Sequence, residues 1–232
     1  MIFAQAHQEG GLISVNHPNP GGPGWAFSQA LPFDCVEVWR GFWQCGNEYS
    51  LGYWEALLQK GRRVIAVGGS DTHPFSLPDG TTFDWLGYPT TWVYAKELTI
   101  EGVLEGIKAG HVTISLSPTA ARVTLVVQDV KGNSRAMQGD VVNMETCIVE
   151  VHVVGGFGLC LRVLTKKGEI ARKKITSQDW IYHNTLELKE HAFVRAEVRA
   201  RPPHDAVPVE RCPMVALTNP VWHADFIVQR KT

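Results

Sequence analysis

Two patterns of apolar and polar positions divide the chain. Over the first half, short apolar runs alternate with helical stretches. "GLISVNHP", "CVEVW", "RVIAVGGSD" and "TTWVYA" each read as a strand of four to six residues. Between the second and third lies "GNEYSLGYWEALLQKGRR", where Leu51, Trp54, Leu57 and Leu58 share one helical face and Gly61 supplies a stop. After the fourth, "TIEGVLEGIKAGH" repeats the pattern, with Thr99 as N-cap and Val103, Leu104 and Ile107 apolar. Residues Ile2 to Glu9 look like the end of a helix that runs through Gly10-Gly11 into the first strand. Such alternation predicts βαβ units and an α/β fold with a parallel sheet, open or closed into a barrel.

From about residue 118 the helical period disappears. "ARVTLVVQDV", "CIVEVHVVG", "CLRVLTKKGEIARKKI", "NTLELKE" and "AFVRAEVRARP" are alternating or β-rich runs broken by Gly, Asn and Pro, and "TKKGE" reads as a hairpin turn. Strands at this spacing predict an antiparallel, β-sandwich-like domain. The expected division is therefore a β/α domain over 1–117 and a β-sandwich-like domain over 118–232. The terminal apolar "PMVALTNPVWH" is expected to pack back on the first domain.

Composition narrows the function classes. The 232 residues are 44% hydrophobic and 19% charged, with a net charge of −1, so no broad basic surface awaits nucleic acid. No apolar run approaches the ~20 residues that span a bilayer, and "MIFAQAHQEGG" has no signal-peptide pattern, which predicts a cytoplasmic protein. The five cysteines are odd in number and form no C-x-x-C pair, so free thiols are expected. Eight tryptophans are many for this length; most are expected in the core or in a pocket wall.

Candidate chemistry sits at three strand ends, where α/β sheets bind ligands. The first strand delivers Asn16-His17-Pro18, the second runs through Glu37 to Trp39 and Arg40, and the third ends in Gly-Gly-Ser followed by Asp71-x-His73. A carboxylate and an imidazole two residues apart after a glycine turn can both face one metal ion, and oxygen with nitrogen donors suits zinc, manganese or iron. Glu37, flanked by Val36 and Val38, needs a partner wherever it is buried. His7 is expected to be solvated and His223 to lie at the surface or an interface. The other histidines lack ligand spacing. The glycine-rich "HPNPGGPG" has no P-loop lysine; it reads as an active-site loop or an ordinary surface loop.

At these residues the chain resembles the PHP-domain (polymerase and histidinol phosphatase) metal-dependent hydrolases, in their carbaryl-hydrolase-like branch. The resemblance rests on "GGLISVNHP", "VEVWRG", "WEALLQKGRRVIAVGGSDTHP", "PTTWVYAKEL", "RAEVR" and "MVALTNPVW", in family order over nearly the whole chain. It implies the C-terminal part of a distorted seven-stranded β/α barrel followed by the sandwich. It also implies His17, Asp71 and His73 as metal ligands, with Asn16, Glu37, Trp39 and Arg40 as supporting or pocket residues. Arg40 stands where the family usually carries asparagine, and the His-x-His that opens the family's barrel occurs nowhere here. The resemblance thus implies a chain that lacks the N-terminal half of the barrel, completed by a homo-oligomer or by a partner carrying that half.

Two functions follow as expectations. One is a hydrolase that uses metal-activated water on phosphoesters, carbamates or other small-molecule esters. The other is a non-catalytic subunit that acts through assembly. A weaker third idea, a ligand-binding sandwich, rests on Trp180 and Tyr182, which are more simply core residues.

Overall fold

Burial on both faces marks the centre of the α/β part. "CVEVWR" has no polar-out alternation, and it forms the middle strand of a three-stranded parallel sheet. The computed structural model describes residues 2–18, 28–73, 85–201 and 207–228, and the backbone of 75–76 and 82–83. Residues 19–27, which hold most of the glycine-rich "HPNPGGPG", and His204 lie outside them.

In chain order the elements begin with α1 (Ile2–Gln8), β1 (Ser14–Val15), β2 (Cys35–Arg40), α2 (Asn47–Gln59) and β3 (Ile65–Gly69). There follow β4 (Phe75–Ser76), β5 (Thr82–Phe83), β6 (Thr90–Val93), α3 (Ile100–Ala109) and β7 (Val112–Ser115). The β-rich remainder comprises β8 (Arg122–Asp129), β9 (Arg135–Met137), β10 (Val141–Val142), β11 (Thr146–Val154), β12 (Cys160–Thr165), β13 (Gly168–Lys174) and β14 (Asp179–Glu187). It ends with α4 (Leu188–His191), β15 (Phe193–Arg199), β16 (Met214–Thr218) and β17 (Val221–His223). The protein is thus mixed α/β, mostly strands in several sheets with few helices, and among the described residues no barrel closes.

Strands β1, β2 and β3 pair in parallel, and α2 covers them with Leu51, Trp54, Leu57 and Leu58, all buried. The helix ends as its sequence predicts. Gly61 takes φ +74°, Gly61 N–H donates to Leu58 O at 2.9 Å, and Arg62 N–H donates to Leu57 O at 3.1 Å. That pairing is a Schellman close, which favours glycine. A Cβ at Gly61 would also lie 2.3 Å from Phe226 O. Gly61→Ala is therefore expected to cost at least the ~1–2 kcal/mol of a left-handed alanine, read as a lower midpoint in urea unfolding.

Strand β6 departs from the expected parallel order. It pairs antiparallel with β7, Thr90 opposite Ser115, inside an eight-stranded sheet ordered β10-β17-β15-β16-β7-β6 with β12 and β13 branching from β15. The chain turns back through α3, so this helix returns to a neighbouring antiparallel strand. Side chains rather than a backbone ladder join β3 to that sheet. Thr91 Oγ1 accepts from Gly68 N–H at 2.9 Å and donates to Gly68 O at 2.7 Å. Asn219 Oδ1 accepts from Ala66 N–H at 2.8 Å, while its Nδ2 donates to Ala66 O and Val112 O, each at 3.0 Å. Buried peptide groups of β3 that lack a neighbouring strand are thereby satisfied.

Beyond residue 117, β14, β11, β8 and β9 form a four-stranded antiparallel sheet. Alternate residues Val123, Leu125 and Val127 of β8 and Val149, Val151 and Val153 of β11 enter one hydrophobic cluster with Leu161, Val163, Val194, Ala196 and Val198 of the large sheet. Trp180 and Tyr182 pack against this cluster, ring centroids 6.3 Å apart. Residues 214–218 pair with β7, Leu217 opposite Ile114, so the terminal segment and residues 112–115 share a sheet.

Several side chains lie elsewhere than their sequence context suggests. His7 is not simply solvated: its Nε2 is 2.7 Å from Asp34 Oδ2, on a helix that buries no residue. His223 is buried, its Nδ1 accepting from Asp225 N–H at 3.2 Å. On α3, Thr99 caps as expected by accepting from Gly102 N–H, but Leu104 is exposed together with Ile100 and Leu98. Four tryptophans, at 39, 43, 54 and 222, are buried. The five cysteines are unpaired. Among the described residues no helix is long and apolar enough to cross a membrane.

Candidate metal and ligand site

The carboxyl ends of the three parallel strands place the predicted residues in two linked groups: Arg40, Asp71 and His73 line one cavity, and His17 bonds Glu37. His17 follows β1, Arg40 closes β2, and Asp71 and His73 follow β3. Glu37, on β2, is 8% exposed and ties the first end to the second, its Oε2 accepting from His17 N–H at 2.9 Å. Burial pushes its carboxyl above the usual range; the Asp71 carboxylate adds to that, while His17 and Arg40 oppose it.

The glycines of "VGGSD" serve close approach. A Cβ on Gly69 would lie 2.7 Å from Glu37 Oε1, and one on Gly68 would meet Ile114 at 2.9 Å and Pro89 at 3.0 Å. The third strand can thus run against β7 on one side and the Glu37 carboxyl on the other.

Strain gathers at the same place. Among the described residues three that are not glycine have positive φ, and two of them are His17 (φ 31°) and Asp71 (φ 49°). Holding such a residue in the left-handed region costs on the order of 1–3 kcal/mol and recurs at ligand sites. His17 Nδ1 and Thr72 Oγ1 are also buried without a hydrogen-bond partner. A buried polar atom left in this way costs about 1–3 kcal/mol.

Asp71 holds two neighbours loosely, His73 Nε2 at 3.3 Å from Oδ1 and Arg40 Nη1 at 3.5 Å from Oδ2. His73 is 87% exposed, free to swing about its backbone position. Trp39 turns away from these groups into the core, edge to face with Trp43 at 5.0 Å, its Nε1 donating to Gly41 O. Its part is to support the strand end, not to line a pocket. Asn16 is exposed at the end of β1.

Sequence reasoning missed two features of the site. Asn47, wholly buried at the start of α2, accepts from Arg40 N–H at 2.8 Å and donates to Arg40 O at 2.9 Å and Phe42 O at 2.8 Å, which fixes the turn after β2. The other is an aromatic wall. A cavity of 440 Å³ is lined by Asp71, His73 and Arg40 together with Phe42, Trp85 and Tyr88. Phe42 meets Trp85 edge to face at 5.0 Å, and Trp85 meets Tyr88 at 6.1 Å. The signal was present in "RGFW" and "WLGYP", aromatic residues beside turn glycines that no core face claims.

No family model, no curated protein and no solved structure matches the chain. Its chemistry is therefore read from the side chains alone. The donor types, imidazole nitrogen and carboxylate oxygen, fit zinc, manganese or iron, and the partnerless His17 Nδ1 is a donor with nothing to bond. Their number does not complete a shell: among the described residues no three His, Cys, Asp or Glu side chains converge into a ready-made group. By donor type these residues could supply part of such a shell, which the other described side chains do not complete.

Glu37→Gln separates the roles of the buried carboxyl. A glutamine still accepts from His17 N–H, whereas the carboxylate ionises against burial. A carboxyl raised on folding binds more protons in the native state, so it lowers stability as pH rises through its folded value. Glu37→Gln is expected to melt no lower than the parent at pH 8, and to flatten the rise in stability between pH 8 and pH 5; differential scanning fluorimetry across pH measures both.

Proposed function

We propose that the chain holds a divalent cation (zinc, manganese or iron) at the ends of β1 and β3 and hydrolyses small-molecule phosphoesters, carbamates or other esters. In this reading the parallel strands are the C-terminal part of a PHP-type distorted seven-stranded β/α barrel over 1–117. The strands from 118 onward form an antiparallel β-sandwich-like domain. The observation that carries the reading is the coincidence of strain and orphaned donor: His17 and Asp71 both have positive φ, and His17 Nδ1 is buried with no partner.

A cation bound there lowers the pKa of water and offsets charge on the departing oxygen. The protein's own groups do the rest. Asp71 and His73 offer an oxygen and a nitrogen from one turn, and His17 offers a nitrogen from across β2. Glu37 holds the His17 turn through its backbone N–H. The oxygen of water bonds to phosphorus or carbonyl carbon, the ester bond breaks, and the departing oxygen takes the proton that water gives up.

Two or three protein donors leave coordination positions for water, substrate oxygen or another chain, so the reading includes self-association or a partner that completes the shell. Assembly alone is the second reading, that of a non-catalytic subunit. What favours it is apolar surface on and beside α3, where Leu98, Ile100 and Leu104 are 98%, 76% and 40% exposed. A monomer by light scattering would remove the assembly part.

Hydrolysis of bis(4-nitrophenyl) phosphate and 4-nitrophenyl acetate, with and without manganese or zinc, tests the enzyme. Turnover stimulated by metal and abolished by chelator is the expected result. No metal-stimulated turnover of either substrate would refute catalysis by this chain.

A further inference from the structure

We propose that the cavity beside Asp71 takes an aromatic phosphate ester, with its ring against Phe42, Trp85 and Tyr88 and its phosphoryl group on Arg40. As a statement about substrate it rests on the hydrolytic reading above; as a statement about binding it stands on the cavity itself.

Three observations meet there. The first is size and shape: 440 Å³ lies within the about 300–1,000 Å³ of small-molecule pockets. That admits one ring and one phosphoryl group. The second is the wall. Phe42 is 48% exposed, Trp85 43% and Tyr88 36%, and their rings form an edge-to-face ladder at one mouth. Large rings left open to water beside a concavity are ready to cover a planar apolar group.

The third is an underused guanidinium. Arg40 lines the same cavity with its side chain 23% exposed. Its contact with Asp71 at 3.5 Å is a loose ion pair, weak enough in this half-exposed setting to be exchanged. The described residues form no hydrogen bond to its five N–H donors, which in fork geometry suit two oxygens of a tetrahedral anion. Its backbone does not move to make that bond, because Asn47 holds both Arg40 N–H and Arg40 O. A fixed backbone behind a loosely paired charged head is how a selective group is presented.

Arg40 and the rings face one cavity, so the two parts of the ligand are recognised together. Asp71 sharpens the selection: an anion that does not reach Arg40 meets a carboxylate instead. Neutral aromatic esters gain the wall but not the guanidinium, and inorganic phosphate gains the guanidinium but not the wall.

Phenylphosphonate, which cannot be hydrolysed at a P–O–aryl bond, is the probe, with inorganic phosphate, benzoate and benzyl alcohol as comparators. Titrations are run by calorimetry on the full chain, once in chelator and once with manganese. Cys45 gives an independent readout, since it is exposed, lines this cavity and is unpaired. Alkylation by iodoacetamide, mapped by mass spectrometry, should slow at Cys45 when phenylphosphonate is bound.

The expected result is that phenylphosphonate binds more tightly than all three comparators and protects Cys45. Arg40→Gln should weaken it about tenfold or more, the scale of a lost charge-assisted bond, while benzyl alcohol stays within about twofold. Trp85→Ala should weaken phenylphosphonate and benzyl alcohol but not inorganic phosphate. Inorganic phosphate binding as tightly as phenylphosphonate, benzoate binding as tightly, equal losses for charged and neutral ligands in Arg40→Gln, or no protection of Cys45 would overturn the proposal. The chelator arm keeps the two claims apart. Binding in chelator together with no manganese uptake in the metal arm refutes the metal reading alone, and manganese uptake with no phenylphosphonate binding in either arm refutes this one alone.

Discussion

Glu197→Gln is expected to destabilise the protein by about 3–5 kcal/mol, the range for breaking a buried ion pair by removing one partner. Glu197 is 1% exposed and lies among three arginines. Its Oε1 accepts from Arg195 Nη1 at 2.7 Å, and its Oε2 accepts from Arg162 Nη1 and Arg199 Nε, each at 2.9 Å. Burial alone would push this carboxyl up, but Arg195, Arg199 and Arg162 overcome that and hold it down to about 2. Arg195 continues to Glu55, and Arg199 to Glu48 at 2.6 Å, both on α2. The cluster therefore pins the helix of the parallel sheet to β15 of the large sheet. Neutralising its centre leaves three arginines crowded together with only the outer carboxylates of Glu55, Glu48 and Glu169 to balance them, which is why the loss exceeds that of an exposed pair.

The pH dependence has a definite sign. A carboxyl whose folded pKa lies near 2 against an ordinary 4.5 contributes stability that is complete above 4.5. The contribution is lost as pH falls from there through 2. Urea unfolding of parent and Glu197→Gln at pH 7 and pH 3 measures it: the difference between them should be large at pH 7 and smaller at pH 3. Equal stability at pH 7 would mean that the arginines are solvated and the cluster is not closed.

Asp71→Ala is expected to lower affinity for zinc or manganese by at least about 100-fold, the upper end of what losing a residue behind a ligand costs. The carboxylate is the group nearest both His73 and Arg40, so its removal takes away an oxygen donor and leaves Arg40 to repel the cation. The control is Asp179→Ala. Asp179 Oδ1 lies 2.6 Å from His152 Nε2, a pair of the same chemistry outside the site, and its loss should leave metal affinity unchanged. Calorimetric titration of both variants decides. Equal affinities in Asp71→Ala and the parent would exclude Asp71 as a ligand.

What the sequence revealed and what it hid follow from how each residue type reports its surroundings. Leu51, Trp54, Leu57 and Leu58 announce α2 because large apolar side chains at helical spacing form a stripe that water disfavours and a core accepts. Gly61 and Thr99 are equally plain, since each end requires a particular backbone or side-chain oxygen. The pairing partner of β6 was hidden. "TTWV" has the same strand pattern whether its neighbour is parallel or antiparallel, and the bonds from Thr91 and Asn219 that stand in for a ladder on β3 join residues far apart in the chain.

The charged face of β15 was hidden as well. Arg195, Glu197 and Arg199 fall on one side of the strand by its period of two, and that pattern usually marks a solvated face. Here each charge finds a partner of opposite sign on another element: Glu55 for Arg195, Arg162 for Glu197 and Glu48 for Arg199. At the candidate site, the spacing of Asp71 and His73 was legible, and so was the need of Glu37 for a partner. The orphaned Nδ1 of His17 and the grip of Asn47 on Arg40 depend on three-dimensional neighbours that no local pattern encodes; the rings of the wall stand in the sequence, but their gathering at one cavity does not.

Metal content per chain decides whether the strand ends hold a cation. The protein would be purified without added metal or a histidine tag and analysed by elemental mass spectrometry beside His17→Ala and His73→Ala. Zinc, manganese or iron at close to one equivalent or more is expected in the parent, with a clear loss in both variants. A parent that is empty, and stays empty after incubation with each metal, would contradict the metal reading.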